Sequence, residues 1–214
     1  MRVLDLFSGL HGWSQAFADA GHDVVTVELD PKMESTITAD VSELDAIDVP
    51  GPWDVILASP PCQRFSVATI GKNWKKNTDG TYTPMTEGAI DALALVGATR
   101  RLIDELNPKF FIIENPRGML RKMPVVAGLP RATVTYCQYG ETRMKPTDLW
   151  GNFPPSLWLH PPCSNGDTCH ESAPRGAKTG TQGIQGASLR SKVPYALSDA
   201  VMCAVAHDVL TMRR

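Results

Sequence analysis

The first half of the chain alternates short apolar runs with amphipathic helical patterns, and few folds accommodate that order. Val3–Phe7 and Val24–Glu28 read as strands. Between them Gly12–Ala20 carries Trp13, Ala16, Phe17 and Ala20 at helical spacing, with Gly21 as the stop. Trp53–Ala58 is a further strand. A helix is predicted over 87–106, with Ile90, Leu93, Ala94, Gly97 and Ile103 inward and Asn107–Pro108 ending it. Phe110–Glu114 and Ala132–Cys137 follow as strands, and 195–210 returns to a helical pattern. Strands alternating with helices over short connections require a mostly parallel sheet covered on both faces. The expected fold is therefore α/β and Rossmann-like.

Ligands in such sheets bind beyond the carboxyl ends of the strands. Here those ends read Phe7-Ser8-Gly9, Glu28-Leu29-Asp30, Ser59-Pro60-Pro61-Cys62 and Glu114-Asn115-Pro116. A strand feeding a glycine-containing turn and then a helix offers free N–H groups, and an acid closing the next strand suits ribose hydroxyls. Together they favour an adenosyl ligand. Two prolines hold Cys62 rigidly at its strand end, and Arg64 nearby is expected to favour the thiolate. Glu114 closes a strongly apolar strand, so desolvation is expected to raise its pKa and let it hold a proton near neutrality.

The length, 214 residues, suits one domain with a small insertion. No apolar run approaches the roughly 18 residues of a membrane span, so no membrane partner is expected. An apolar strand pattern begins at residue 3, and the five cysteines are an odd count. Both favour a reduced, cytoplasmic setting without a disulfide framework. The net charge of −2 argues against nucleic acid, but it is unevenly distributed. Residues 1–60 hold 2 basic and 11 acidic side chains, and residues 61–214 hold 19 basic and 12 acidic ones.

The motifs Asp5–Phe17 (DLFSGLHGWSQAF), Glu28, Asp40, Ser59–Ser66 (SPPCQRFS) and Glu114–Pro116 (ENP), with Gln138–Asn152 as a looser match, occur in one order along the chain. In these the chain resembles the cytosine-5 DNA methyltransferases, particularly the short forms of phage genomes. The resemblance implies a class I methyltransferase fold, S-adenosyl-L-methionine as cofactor, and double-stranded DNA as partner, with the target cytosine flipped out of the helix. It implies Cys62 as nucleophile, Glu114 at N3 and the exocyclic amine, and Arg143 near O2. For the cofactor it implies Phe7 on the adenine, Glu28 on the ribose and Asp40 on the adenine amine. Gly9 and Pro61 would line the slot. His11 stands where the family usually has glycine, and is expected to narrow or re-aim the cofactor turn. Some close relatives act on transfer RNA, and a catalytically weak DNA-binding relative is a further alternative.

The expected organisation is a catalytic domain over 1–150, a minimal target-recognition segment over 151–192, and a C-terminal helix within 193–214 packing back on the catalytic domain, in a monomer. Residues 151–192 are rich in Gly, Pro, Ser and Thr, without sustained periodicity. His160, Cys163, Cys169 and His170 lie close in sequence there and offer four ligands that could bind zinc and order a coreless loop, but Cys-x5-Cys-His is not a standard finger spacing, so loop residues without a metal are the preferred reading. Lys72, Lys75 and Lys76 with Trp74 read either as a solvated loop with one stray aromatic or as cations that meet phosphates with Trp74 packing on sugar or base. Arg175, Lys178, Arg190 and Lys192 extend the same basic side. A shared face for these cations and Cys62 is the expectation.

Overall fold

The computed structural model describes residues 1–172 and 186–212. Its strands are β1 (Arg2–Leu6), β2 (Asp23–Glu28), β3 (Ile37–Thr38), β4 (Val55–Ala58), β5 (Trp74–Lys76), β6 (Tyr82–Pro84), β7 (Phe110–Pro116), β8 (Arg131–Thr135) and β9 (Pro146–Asn152). Its helices are α1 (Gln15–Asp19), α2 (Ile70–Asn73), α3 (Glu87–Leu106), α4 (Ala187–Ser191) and α5 (Tyr195–Met212). Seven strands form one sheet in the order β3-β2-β1-β4-β7-β9-β8, and β5 and β6 form a separate hairpin. β3, β2, β1, β4 and β7 run parallel, while β9 is antiparallel to both β7 and β8.

The apolar runs are continuous because both faces of the sheet are buried. Val3, Val55, Leu57, Phe110 and Ile112 face a core shared with Trp13, Phe17 and the α5 residues Leu197, Val201, Val205 and Val209. Leu4, Leu6, Ile56, Ala58 and Ile113 face the other way, towards Leu102 and Ile103 of α3. A third cluster unites Phe65, Trp74, Ala89, Val96, Met119, Leu120 and Trp150 beneath the loop that follows β4. That loop therefore rests on packed side chains.

The structure departs from the sequence reading in several places. α3 buries Ala89, Val96, Thr99, Leu102 and Ile103, so the inward face is rotated from the expected one, and Ile90 is 54% exposed. The pattern that fails after residue 146 hides β9, the strand next to the sheet edge. Ser188–Met212 is long and apolar enough by composition to cross a membrane, against the expectation that no run comes near; half of its most apolar stretch is buried in the fold. α5 is tied to the turn before α1 through the Ser198 hydroxyl, which donates to the Trp13 carbonyl.

Candidate active site

The sheet changes winding direction at β1, which has β2 on one side and β4 on the other. Such a switch point opens a crevice at the strand ends. Phe7–Gly9 and Ser59–Cys62 flank it, and the Ser59 N–H donates to the Leu6 carbonyl at 3.2 Å. Phe7 and His11 both take left-handed φ angles, 63° and 55°, so the turn after β1 is tightly folded. The Gly9 N–H donates to Glu28 Oε2 at 3.0 Å, and Glu28 Oε1 accepts from the N–H groups of Leu29 and Asp30. Glu28 thus locks the turns after β1 and β2 together. Asp40 caps the turn after β3, accepting from the Ser42 N–H and hydroxyl through one oxygen. The Ala39 N–H bonds the Glu28 carbonyl, which sets Asp40 beside that strand end.

His11 meets the Met33 carbonyl with Nε2 at 2.9 Å, so its ring reaches across to the turn after β2. Gly12 is required by close packing: a Cβ there would lie 2.6 Å from the Val193 nitrogen. Asp5 is 1% exposed, and burial pushes its carboxyl up to about 7, the hydrogen bond from the Ser14 hydroxyl opposing it. Asp5 Oδ1 and the Ser8 hydroxyl oxygen are buried without hydrogen-bond partners. Unsatisfied buried polar atoms are costly, and a polar ligand in the crevice would relieve them. The residues here fit a nucleoside-bearing cofactor on that ground.

At the next strand end, Asn115 Nδ2 donates to the Pro60 carbonyl at 2.8 Å, clamping β7 to the Cys62 loop. The Cys62 carbonyl accepts from the N–H groups of Phe65 and Ser66. Glu114 is 3% exposed, and Tyr136 Oη donates to its Oε1 at 2.8 Å. Burial raises the Glu114 pKa, with the Lys145 ammonium the main opposing influence. Cys62 differs from the expectation. Burial and the Glu114 charge raise its thiol pKa, and Lys145 and Arg190 only partly offset them. Arg64 does not supply the cation, because its guanidinium packs against Gly88 of α3, where a Cβ would lie 2.8 Å from it.

Lys145 is the cation that sequence reasoning missed. It is buried, its Nζ lies 4.2 Å from the Tyr136 ring centroid, and its charge acts on both Glu114 and Cys62. Arg143 lines a cleft with Tyr136, Glu141, Lys145, Arg190 and Lys192. Its Nη1 donates to the carbonyls of Glu171 and Ser172, and its Nη2 lies 3.3 Å from the Glu171 carboxylate. Cys62, Glu114 and Lys145 are therefore gathered, while Arg143 is engaged with the loop opposite. Pro61 is exposed on the rim, and Phe7 is half-buried against the α3-side core.

Trp74 corrects another expectation. It is 4% exposed and stacked on Phe65 at 5.6 Å, with Nε1 donating to the Arg64 carbonyl, so it supports the loop from below. Lys72, Lys75 and Lys76 are exposed on α2 and the hairpin fastened there. Arg175 and Lys178 lie outside the described residues.

A parallel sheet with one reversed strand next to its edge, and a crevice at the β1/β4 switch, defines a class I methyltransferase fold. The family model for C-5 cytosine-specific DNA methylases matches residues 1–124. A Frog virus 3 (isolate Goorha) protein named "Probable DNA (cytosine-5)-methyltransferase" is 35% identical over 158 residues, 70% of each chain. The type II methyltransferase M.AplI of Arthrospira platensis is 33% identical over 130 residues, 56% of this chain and 32% of its own. Among solved structures, a DNA modification methyltransferase encoded within an E. coli prophage has a TM-score of 0.50 at 25% identity, covering 71% of this chain and 46% of that one. Entamoeba histolytica EhMeth shares the fold, with a TM-score of 0.53 at 12% identity over 75% of this chain and 56% of its own. The chain belongs to the C-5 cytosine-specific DNA methylase family. It spans about a third of M.AplI and about half of the prophage enzyme.

Proposed function

We propose that this chain transfers a methyl group from S-adenosyl-L-methionine to C5 of a cytosine flipped out of double-stranded DNA, through a covalent adduct with Cys62. The observation that carries this reading is the joining of two strand ends by the Asn115–Pro60 hydrogen bond, beside the β1/β4 crevice. It gathers a thiol and a buried carboxyl whose charges influence one another.

Cytosine C5 is a poor nucleophile until the ring loses aromaticity. Addition of the Cys62 sulfur at C6 leaves C5 enamine-like, and the thiol is a reversible leaving group. Glu114 holds a proton between its carboxyl and N3 and accepts from the exocyclic amine, stabilising the charge that develops on addition. With that proton on Glu114, the carboxylate charge that would raise the Cys62 thiol pKa is neutralised, which favours the thiolate. Lys145 favours the thiolate electrostatically throughout. S-adenosyl-L-methionine, when bound, supplies the electrophilic methyl group at C5. Loss of the C5 proton and expulsion of Cys62 then restore the ring.

Phe7, Gly9, Glu28, Asp40 and Pro61 would hold the cofactor. Glu28 accepts three backbone hydrogen bonds and is oriented before any ribose arrives. Asp40 keeps its second oxygen for an adenine amine. Arg143 would orient the base near O2, which requires it to leave the Glu171 and Ser172 carbonyls on docking. Lys75, Lys76 and the cleft cations would meet phosphates. The protein would act as a monomer in a reducing cytoplasm, where its five cysteines form no disulfide, as here.

The test is transfer of labelled methyl to duplex DNA, with transfer RNA as competitor. Transfer to DNA cytosine by the wild type, abolished in Cys62→Ala, is the expected result. Full activity in Cys62→Ala would overturn the mechanism, and preferential labelling of transfer RNA would overturn the substrate.

A further inference from the structure

Outside the proposed active site, the structure gathers three thiols and an imidazole that the sequence keeps apart. Cys137 sits in the turn after β8, 26 residues before Cys163. Its Sγ lies 3.2 Å from Cys163 Sγ and 3.7 Å from Cys169 Sγ. His170 Nδ1 lies 3.6 Å from Cys163 Sγ and 3.4 Å from Cys169 Sγ. All four ligand atoms fall within 4.8 Å of one another. A tetrahedral zinc ion with the usual Zn–S and Zn–N bond lengths sets S···S edges of about 3.8 Å and S···N edges of about 3.6 Å. The Cys137–Cys169, Cys163–His170 and Cys169–His170 edges are near those values, and the Cys137–Cys163 edge is shorter. His160, adjacent in sequence, is not in the group; its ring meets Trp158 at 4.6 Å and Tyr139 at 5.3 Å.

The backbone around the cluster is organised to present these groups. The Cys163 N–H donates to Thr135 Oγ1, at the end of β8. The Asp167 carboxylate accepts from the Ser164 N–H and closes the turn between Cys163 and Cys169. The Glu171 N–H donates to the Thr142 carbonyl. No residue from 160 to 172 is buried, so this loop has no apolar core to hold it.

We propose that Cys137, Cys163, Cys169 and His170 Nδ1 bind one zinc ion in a closed, structural site. Binding releases three thiol protons to solvent and leaves the imidazole neutral, so the site carries a net charge of about −1. The ion fastens the loop to the turn that carries Tyr136, which donates to Glu114, and brings Glu171 and Ser172 to Arg143. Zinc therefore does here what a hydrophobic core does elsewhere in the molecule. The assignment stands independently of the methyl-transfer reading.

The experiment is metal analysis of the full chain purified under reducing conditions without chelator, with cobalt titration of the metal-free protein. One zinc per chain is expected, and a tetrahedral cobalt–thiolate absorption spectrum on titration. Cys163→Ser and Cys169→Ser should lose at least nine-tenths of the zinc, while Cys203→Ser, exposed on α5, should keep it. His170→Cys should keep the metal and change the cobalt spectrum. If a variant fails to fold, the cobalt spectrum of the wild type decides the matter. A reduced wild type that takes up neither metal stoichiometrically would overturn the proposal. So would unchanged zinc in both serine variants, or a disulfide linking two of the three cysteines.

Discussion

The turns after β1, β2 and β4 and the described segments 136–145, 160–172 and 188–192 are held in place differently. In the first, hydrogen-bonded strands with two buried faces fix the backbone, and Glu28 joins neighbouring turns through backbone N–H groups. In the second, side chains do the holding. Arg143 captures two carbonyls, Lys145 reaches the Ser191 carbonyl at 3.5 Å, and three cysteines converge with a histidine. A strand-end site is specified by periodic apolar sequence. A loop site is specified by a few polar pairs far apart in the chain, and it responds to different agents.

Glu114 lies at the seam between the two regions, and its substitution should have the largest effect. Glu114→Gln should lower kcat by roughly 10²–10³-fold, the usual consequence of losing one group that stabilises developing charge. Cofactor affinity measured by calorimetry should not change. A parallel loss of cofactor binding would mean that the two regions are not separable in this way.

Asp5→Asn tests the strand-end region through protons. The folded-state pKa of Asp5 is raised to about 7 from an unfolded value of 3.8. Between those values the unfolded chain releases the proton and the folded one keeps it, so stability falls as pH rises and levels off above about 7. Asp5→Asn should remove that dependence and gain up to about 4 kcal/mol near pH 8. Denaturant unfolding across pH reads it directly; an unchanged profile would show that Asp5 ionises freely in the fold.

Lys145→Met tests whether the second region reaches the nucleophile. Alkylation of Cys62 by iodoacetamide, followed by peptide mass, should shift to higher pH, because Lys145 lowers the thiol pKa that burial and Glu114 raise. No shift would place Lys145 outside the chemistry. The smallest effect belongs to the hairpin. Lys75→Ala with Lys76→Ala should weaken DNA binding uniformly across sequences and reduce the salt-dependence slope by about 2. An unchanged slope would remove the hairpin from the DNA side.

The strand-end region was legible because its strands are continuous apolar runs and its polar residues follow them directly. The loop region was legible only in fragments. β9 is hidden by Pro146, by a fully buried Asp148 and by Gly151. Asp148 is tolerated because Arg121 donates two hydrogen bonds to it and Thr133 a third, partners that local sequence does not reveal. Gly151 passes so close to β7 that a Cβ would lie 1.9 Å from the Phe111 carbonyl oxygen. The cysteine spacing looked unsuited to a metal because Cys137 comes from a different element. By sequence Arg64 reads as a cation for Cys62 and Trp74 as a contact for sugar or base, yet tertiary packing turns one onto α3 and the other beneath the loop. Among the described residues the acidic strand ends carry Glu28 and Asp40, while Arg143, Lys145, Arg190 and Lys192 line the cleft beside Tyr136 together with Glu141.

The central claim is that Cys62 adds covalently to cytosine, and trapping the adduct tests it most directly. Duplex DNA with 5-fluorocytosine at the target position cannot release a C5 proton after methyl transfer. Incubation with wild type and S-adenosyl-L-methionine should yield a denaturation-resistant protein–DNA complex, with the DNA mapped to the Cys62 peptide and no complex from Cys62→Ser. A complex that persists in Cys62→Ser, or active methyl transfer to unmodified DNA with no trapped complex in the wild type, would contradict the account.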